Sequence, residues 1–181
     1  FGEYAVAGYG SATRIEQVLL LPVLGINTAI ISIIAQNIGA KYYNRVEQSY
    51  YTSIKYGFFI MLIAGVVIFI SADIVPKLFS SNNEVVMHGS IYLKISAFIL
   101  PSYPIFFLSN GFFMALKKSE KAMFNNIIRN VVVPIMSFYI AKSINADFKT
   151  FFYIWGLFQW LISLVLIIYV RYYIKHKLVN V

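Results

Sequence analysis

Apolar residues along the chain are gathered into five long stretches, which short polar segments separate. A helix that crosses a hydrocarbon core of roughly 30 Å needs about 20 mostly apolar residues, and the stretches have about this length. The pattern therefore predicts an all-α fold, a polytopic transmembrane helix bundle with five spanning helices. The stretches lie at about residues 17–38, 56–72, 95–116, 122–141 and 151–170.

Basic residues are dense in every second connecting segment. The positive-inside rule places the denser side in the cytoplasm, so we expect a multi-pass protein of the cytoplasmic (plasma or inner) membrane. The start of the chain is then external and its C-terminus is cytoplasmic. The denser segments hold Lys41, Arg45 and Lys55, then Lys117, Lys118 and Lys121, and finally Arg171, Lys175 and Lys177.

Composition narrows the possible functions. Sixty per cent of the residues are hydrophobic and 12% are charged, about half the charged share of a soluble domain. Basic flanks that set topology explain the net charge of +8, so we expect no nucleic-acid partner. The chain has no cysteine, and it contains no HExxH motif, P-loop or nucleophilic triad. We therefore expect neither an enzyme nor a bound metal or cofactor.

The first helix, expected from about Tyr4 to Ile38, carries a sparse polar stripe. At 100° per residue, Tyr9, Glu16 and Asn27 fall within about 40° of one another. Glu16 is a carboxylate at or near membrane depth, and it either lines a cleft or pairs locally with Arg14. Asn27 either lines the same cleft or makes a hydrogen bond between helices.

The third stretch contains Pro101 and Pro104 near the middle of the membrane. Prolines there remove backbone hydrogen bonds, so we predict a hinge at this PSYP segment. Ser81 and Glu84 have capping-box spacing, which predicts that the helix begins near Asn82. One face of the helix carries polar residues that form either a packing seam or a cavity lining: Tyr92, Ser96, Tyr103 and Asn110.

The fourth stretch is the most polar, and Arg129 lies about 12 Å inside it at the helical rise. A charge at that depth costs at least a few kcal/mol when it faces lipid. Arg129 should therefore face protein or water, beside Asn125, Asn126 or Asn130. It is either functional or a structural residue that snorkels to the interface. Gln159 in the fifth stretch is typical of a hydrogen bond between helices.

Two segments of the chain resemble MATE (multidrug and toxic compound extrusion) transporters. AVAGYGSATRIEQVLLLPVLGINTAIISIIAQNIGAKYYNRVEQ is similar to the second helix of a lobe in that family. The family pattern there ends in Q-x-x-G-A-K, which is Gln36, Gly39, Ala40 and Lys41 in this chain. VPKLFSSNNEVVMHGSIYLKISAFILP is similar to the family's connector between helices nine and ten. The resemblance covers nearly the whole chain.

The resemblance implies that residues 1–181 form a single transmembrane domain, a MATE-like C-terminal lobe that lacks its first helix. The complete protein would be a secondary-active multidrug efflux antiporter that exports organic cations and amphipathic compounds in exchange for Na⁺ or H⁺ by alternating access. Its partners would be a small-molecule drug or organic cation, membrane lipid, and the missing N-terminal lobe of the same protein. The candidate cleft residues are Glu16, Asn27, Tyr103, Asn110 and Arg129, and the hinge candidates are Pro101 and Pro104.

One departure from the family and two alternatives remain. Some members carry a coupling carboxylate in helix ten, whereas the corresponding LPSYPIFFLSN has none, so we expect the Na⁺ or H⁺ site outside this chain. A flippase for lipid-linked saccharides is one alternative, but it needs several cleft cations, and the candidates Arg14 and Arg129 lie toward opposite faces. A non-transporting membrane scaffold subunit is the other, and it predicts a fully packed polar stripe.

Overall fold

Residues 1–176 and Leu178 are described by a computed structural model, so Lys177 of the expected cytoplasmic tail lies outside the described residues. The described residues form helices and turns, without a strand. A 3-10 turn, Val75–Leu78, follows the second helix, and a π-helical turn, Ile128–Val132, joins the fifth helix to the sixth. The α-helices are α1 (Glu3–Gly39), α2 (Tyr43–Ser71), α3 (Asn83–Ile99), α4 (Ser102–Ala115), α5 (Ser119–Ile127), α6 (Val133–Ser143) and α7 (Phe148–His176).

Three of these helices, α1, α2 and α7, are individually long and apolar enough to cross a membrane. The α3–α4 pair is bent by 55° at its break and would form a fourth span if the two helices cross together. The fourth predicted stretch is divided between α5, with 9 residues, and α6, with 11. Each is too short to cross alone, so five crossings remain a prediction.

Two helices are longer than the apolar stretches that predicted them. The second helix begins at Tyr43 rather than near residue 56, and the last helix continues to His176 rather than ending near residue 170. Polar residues extend both helices beyond their apolar middles. The third helix begins at the predicted place, but its cap is Asn82 rather than Ser81. The Asn82 Oδ1 accepts from the backbone N–H groups of Glu84 at 2.9 Å and Val85 at 3.4 Å.

Helix α4 occupies the centre of the bundle. Twelve of its 14 residues are buried, and it packs against α1, α2 and α7. The surrounding helices approach one another closely at glycines. A methyl group added to Gly65 of α2 would lie 2.5 Å from the carbonyl oxygen of Ala97 in α3. Small residues of this kind let membrane helices pack backbone to backbone.

The outward faces of the bundle are apolar. On α2, for example, Ile63, Val66 and Ile70 are exposed. A soluble protein rarely exposes continuous apolar faces of this size, whereas lipid tails solvate them. The exposed side chains and the long apolar helices together indicate a transmembrane protein.

Candidate functional site

A cavity of about 410 Å³ opens between the first turns of α1, the π turn and the first half of α7. Aromatic residues make up half of its lining, and three polar side chains, Arg129, Asn130 and Gln159, also line it. A mostly apolar concave site with a few polar groups is the usual form of a small-molecule site. The aromatic lining residues are Phe1, Tyr9, Phe148, Phe151, Phe152 and Trp155.

The π turn that carries Arg129 ends two residues before Pro134. A proline has no N–H to donate and its ring disturbs the preceding helical turn. The backbone adapts with a wider turn, in which the N–H of Val133 donates to the carbonyl of Ile128, five residues back. Such turns interrupt a helix and reorient its side chains, often at functional sites. Here the turn directs Arg129 into the bundle.

Arg129 is buried, with 7% of its surface exposed, and its contacts are with protein. Its Nε donates to Gln159 Oε1 at 2.7 Å. The guanidinium carbon lies 4.5 Å from the ring centre of Tyr103 and 4.2 Å from that of Phe106. A guanidinium stacked on aromatic rings gains cation–π energy, which offsets part of the cost of burying the charge.

Two of the three expected asparagine neighbours of Arg129 have other partners. Asn125 Nδ2 donates to Asn110 Oδ1 at 2.9 Å, and Asn126 Nδ2 donates to the carbonyl of Ala122 at 2.8 Å. Asn130 lines the cavity beside Arg129. Gln159, which we predicted as a hydrogen bond between helices, makes that bond and also lines the cavity.

Glu16 is also buried, but it does not line the cavity. Its Oε2 accepts from the Tyr92 hydroxyl at 2.9 Å, while its Oε1 has no described partner. The Tyr92 ring packs edge-on against Tyr9 and Phe152, with ring centres 4.9 and 4.8 Å apart. A local pair with Arg14, one of the two alternatives for Glu16, is absent from the described salt bridges, and Arg14 is exposed.

Tyr103, Asn110 and Asn27 lie outside the cavity lining. Tyr103 and Asn110 are buried in α4. Asn27 packs on the backbone of α4, since a methyl group added to Gly111 would lie 2.1 Å from its Oδ1. None of the three lines the cavity, so Arg129 alone of the five predicted cleft residues does so.

The break at Pro101 is held by side chains from α7. The Trp160 Nε1 donates to the Phe98 carbonyl at 2.9 Å, and the Ser163 hydroxyl donates to the Ser102 carbonyl at 3.1 Å. Backbone acceptors at a broken helix in a membrane must find partners within the protein. Pro104 packs against α2, where a methyl group on Gly57 would lie 2.9 Å from its Cβ.

The aromatic wall is the part of the site that the sequence analysis did not identify. Phe151, Phe152 and Trp155 are grouped at one end of the fifth stretch. Aromatic clusters in that position are typical of the belt at a membrane interface. A belt and a cavity wall use the same residue types, so the sequence signal did not distinguish them.

Comparisons with known proteins agree with this architecture. The chain is 27% identical over 132 residues to the Bacillus subtilis (strain 168) protein named Probable multidrug resistance protein YpnP. The aligned region covers 73% of this chain and 29% of that protein. It is 31% identical over 91 residues to the FAD transporter of Shewanella oneidensis (strain ATCC 700550 / JCM 31522 / CIP 106686 / LMG 19005 / NCIMB 14063 / MR-1). That aligned region covers 50% of this chain and 20% of that protein. The chain thus spans less than a third of the length of either relative.

A solved structure shows the same fold. The outward-facing conformation of a multidrug resistance MATE family transporter of the MOP superfamily superposes with a TM-score of 0.91 at 24% identity, covering 96% of this chain and 39% of that one. The predicted all-α transmembrane bundle is therefore confirmed. The MatE family model matches residues 1–140, more than half of the chain, and the chain belongs to the MatE family.

Proposed function

We propose that this chain is part of the C-terminal lobe of a secondary-active multidrug efflux antiporter, which exports amphipathic compounds in exchange for Na⁺ or H⁺. The observation that carries the proposal is the aromatic cavity of about 410 Å³ in a chain of the MatE family. Members of this family are transporters, which agrees with the expectation that the chain is not an enzyme.

The cavity suits flat, partly apolar compounds. Burying a planar ring between the side chains of Tyr9, Phe152 and Trp155 removes apolar surface from water and adds ring-stacking energy. Sites of this kind tolerate many compounds, because stacking and desolvation depend little on the pattern of substituents. Organic cations, which the family resemblance implies, are attracted to the faces of the same rings.

Alternating access is proposed to use the break between α3 and α4. Pro101 has no N–H to donate to the preceding turn, and side chains of α7 donate to the nearby carbonyls of Phe98 and Ser102. Discontinuous helices of this kind can change angle without breaking a continuous backbone ladder. The Pro101–Pro104 segment would therefore change its angle between the outward-open and inward-open states.

Ion coupling is proposed to depend on residues outside this chain. Among the described residues, no group of three or more His, Cys, Asp or Glu side chains could hold a metal ion. Glu16 is a buried carboxylate near the cavity, and its proposed role is electrostatic attraction of a cationic substrate. The Na⁺ or H⁺ site would then belong to the part of the protein outside this chain.

The test is accumulation of ethidium in pump-deficient cells that express the complete reading frame, under imposed sodium or proton gradients. We expect exclusion of the dye that depends on one gradient and disappears when that gradient is collapsed. Cells with empty vector are the control, and immunoblotting of membranes shows that the protein is present. Membrane-inserted protein that excludes no dye under either gradient would contradict the proposal and favour the flippase.

A further inference from the structure

A groove of about 370 Å³ lies on the surface of the bundle, where α2 passes the end of α3 and the middle of α7. Two of its lining residues, Gly65 and Ala97, are small, and the backbones of α2 and α3 come close there. The groove is therefore the gap that small residues leave between larger ones. The larger lining residues include Leu62, Val66, Phe69 and Ile70 of α2, Phe98 of α3 and Trp160 of α7.

The lining of this groove is apolar. Among the described residues that line it, Trp160 alone carries a polar side-chain group, and its indole N–H donates to the Phe98 carbonyl. The Phe98 side chain itself is 67% exposed. The exposed face of α1, in contrast, carries Thr28, Ser32 and Gln36. Polar side chains within a membrane face protein or water, so the groove, which has no free polar group, matches the acyl chains of the bilayer.

Charged side chains mark one end of the groove. Lys94 precedes Phe98 by one helical turn, so the two side chains lie on the same face of α3. The Lys94 Nζ lies 2.8 Å from an oxygen of Asp73, which follows the end of α2. Lys77 lies near enough for its charge to act on the same carboxylate. Lys77, Lys94 and Asp73 together place one net positive charge where the α2–α3 connector leaves the bundle.

We propose that the groove binds one acyl chain of an anionic phospholipid, whose phosphate lies beside Lys77 and Lys94. An amphiphile with an apolar chain and a negative end matches both the lining and the charged end. Burial drives no association inside a bilayer, so close packing between the helices and the attraction of the headgroup supply the preference. The chain would lie against Pro101 and Trp160, at the α3–α4 break. The lipid site goes beyond the transport function and does not depend on it.

The test is photo-cross-linking of the purified complete protein in nanodiscs of phosphatidylcholine. Each sample contains a trace of phosphatidylglycerol or phosphatidylcholine that carries a diazirine in one acyl chain, and mass spectrometry locates the cross-linked residues. We expect cross-linking at Phe98 to be about five-fold stronger with phosphatidylglycerol, the factor that one interfacial basic residue contributes. Ile63 of α2 is exposed and lies outside the groove lining, so it is the internal reference and should show no preference.

Paired substitutions locate the acyl chain and the headgroup. Val66→Trp places an indole in the groove, whereas Val67→Trp adds the same side chain at the next position, which has similar exposure and lies outside the groove lining. Of these two, only Val66→Trp should remove the preference for phosphatidylglycerol at Phe98. Lys77→Gln removes the net charge and should also remove the preference. Lys149→Gln, in the first turn of α7, removes an exposed lysine elsewhere and should retain it.

Any of three results would overturn the lipid site. One is equal cross-linking of the two lipids at Phe98, and another is an equal effect of Val66→Trp and Val67→Trp. The third is cross-linking at Ile63 without any at Phe98, which would show that another part of the complete protein covers the groove. None of these measurements needs an ion gradient, so a failure of dye export in cells would leave the lipid site standing, and loss of the lipid site would leave the transport function standing.

Discussion

Glu16 and Arg129 are two buried, oppositely charged side chains that remain unpaired with each other in the described part of the chain. Glu16→Gln keeps an acceptor oxygen for the Tyr92 hydroxyl and removes the negative charge. We expect export of ethidium, a cation, by the complete protein to fall by about three-fold or more, since the charge acts through space and not by contact. Uptake of ethidium into cells under the driving gradient measures the effect.

Tyr92→Phe is the control for Glu16→Gln. It removes the hydroxyl that binds Glu16 Oε2 and keeps both the carboxylate and the ring that packs on Phe152. A loss of transport in Tyr92→Phe alone would assign the effect to the geometry of the hydrogen bond. Unchanged transport in Glu16→Gln would remove Glu16 from the proposed function.

Asp73, just after the end of α2, forms an ion pair with Lys94, and the stability of this pair depends on pH. Hydrogen bonds from Lys94 and Ser90 lower its pKa below the ordinary 3.8. A carboxyl group with a lowered folded-state pKa contributes stability above its ordinary pKa and loses it as the pH falls through the folded value. Asp73→Asn should therefore lower the apparent Tm at neutral pH, and the difference should vanish toward pH 3 and below.

The size of the Asp73 effect is limited by exposure. The Lys94 and Asp73 side chains are 41% and 65% exposed, so the pair contributes about 1 kcal/mol or less. The measurement is the apparent Tm of the purified complete protein against pH. Lys94→Gln serves as the control, because removing the partner cation should lower the Tm over the same pH range. A pH-independent difference would contradict the ionic origin.

At the scale of elements, the α3–α4 break depends on α7. Trp160→Phe keeps an aromatic ring beside Pro101 but removes the N–H that binds the Phe98 carbonyl. In a bilayer no water can replace the lost donor, so a carbonyl left without a partner is strongly unfavourable, and we expect a clear fall in the apparent Tm. Trp155→Phe is the matched control, since Trp155 lies on the same helix and faces the cavity. Equal losses in the two variants would contradict the role of the indole N–H.

Sequence patterns predicted helices better than their interruptions. Prolines at positions 101 and 104 indicated the break in the third span, because proline removes a donor whatever its surroundings. The π turn at residues 128–132 was not predicted, since the effect of Pro134 depends on how the backbone reorganises around it. Burial of Arg129 followed from the cost of a charge in lipid. Its partner Gln159 lies 30 residues away in sequence, and single-sequence patterns do not pair such distant positions.

The whole molecule is a set of helices whose crossing pattern determines which face of the membrane each loop meets. The basic residues predict that the α2–α3 connector and the α6–α7 turn are external and that the α4–α5 turn is cytoplasmic. Ser81, Ser119 and Ser143 are exposed and lie in or next to these three connections. Because this chain has no cysteine, single Ser→Cys variants of an otherwise cysteine-free complete protein report the location of each connection.

In intact cells, a membrane-impermeant maleimide should label Ser81→Cys and Ser143→Cys and should leave Ser119→Cys unlabelled. Labelling of Ser119→Cys after permeabilisation is the control for its reactivity. The reverse pattern would invert the topology. Labelling of Ser143→Cys that matches Ser119→Cys would show that the segment from α5 to α6 returns to the side from which it entered. Opposite labelling of these two positions would require this segment to cross the bilayer, with its π turn and buried arginine inside the membrane.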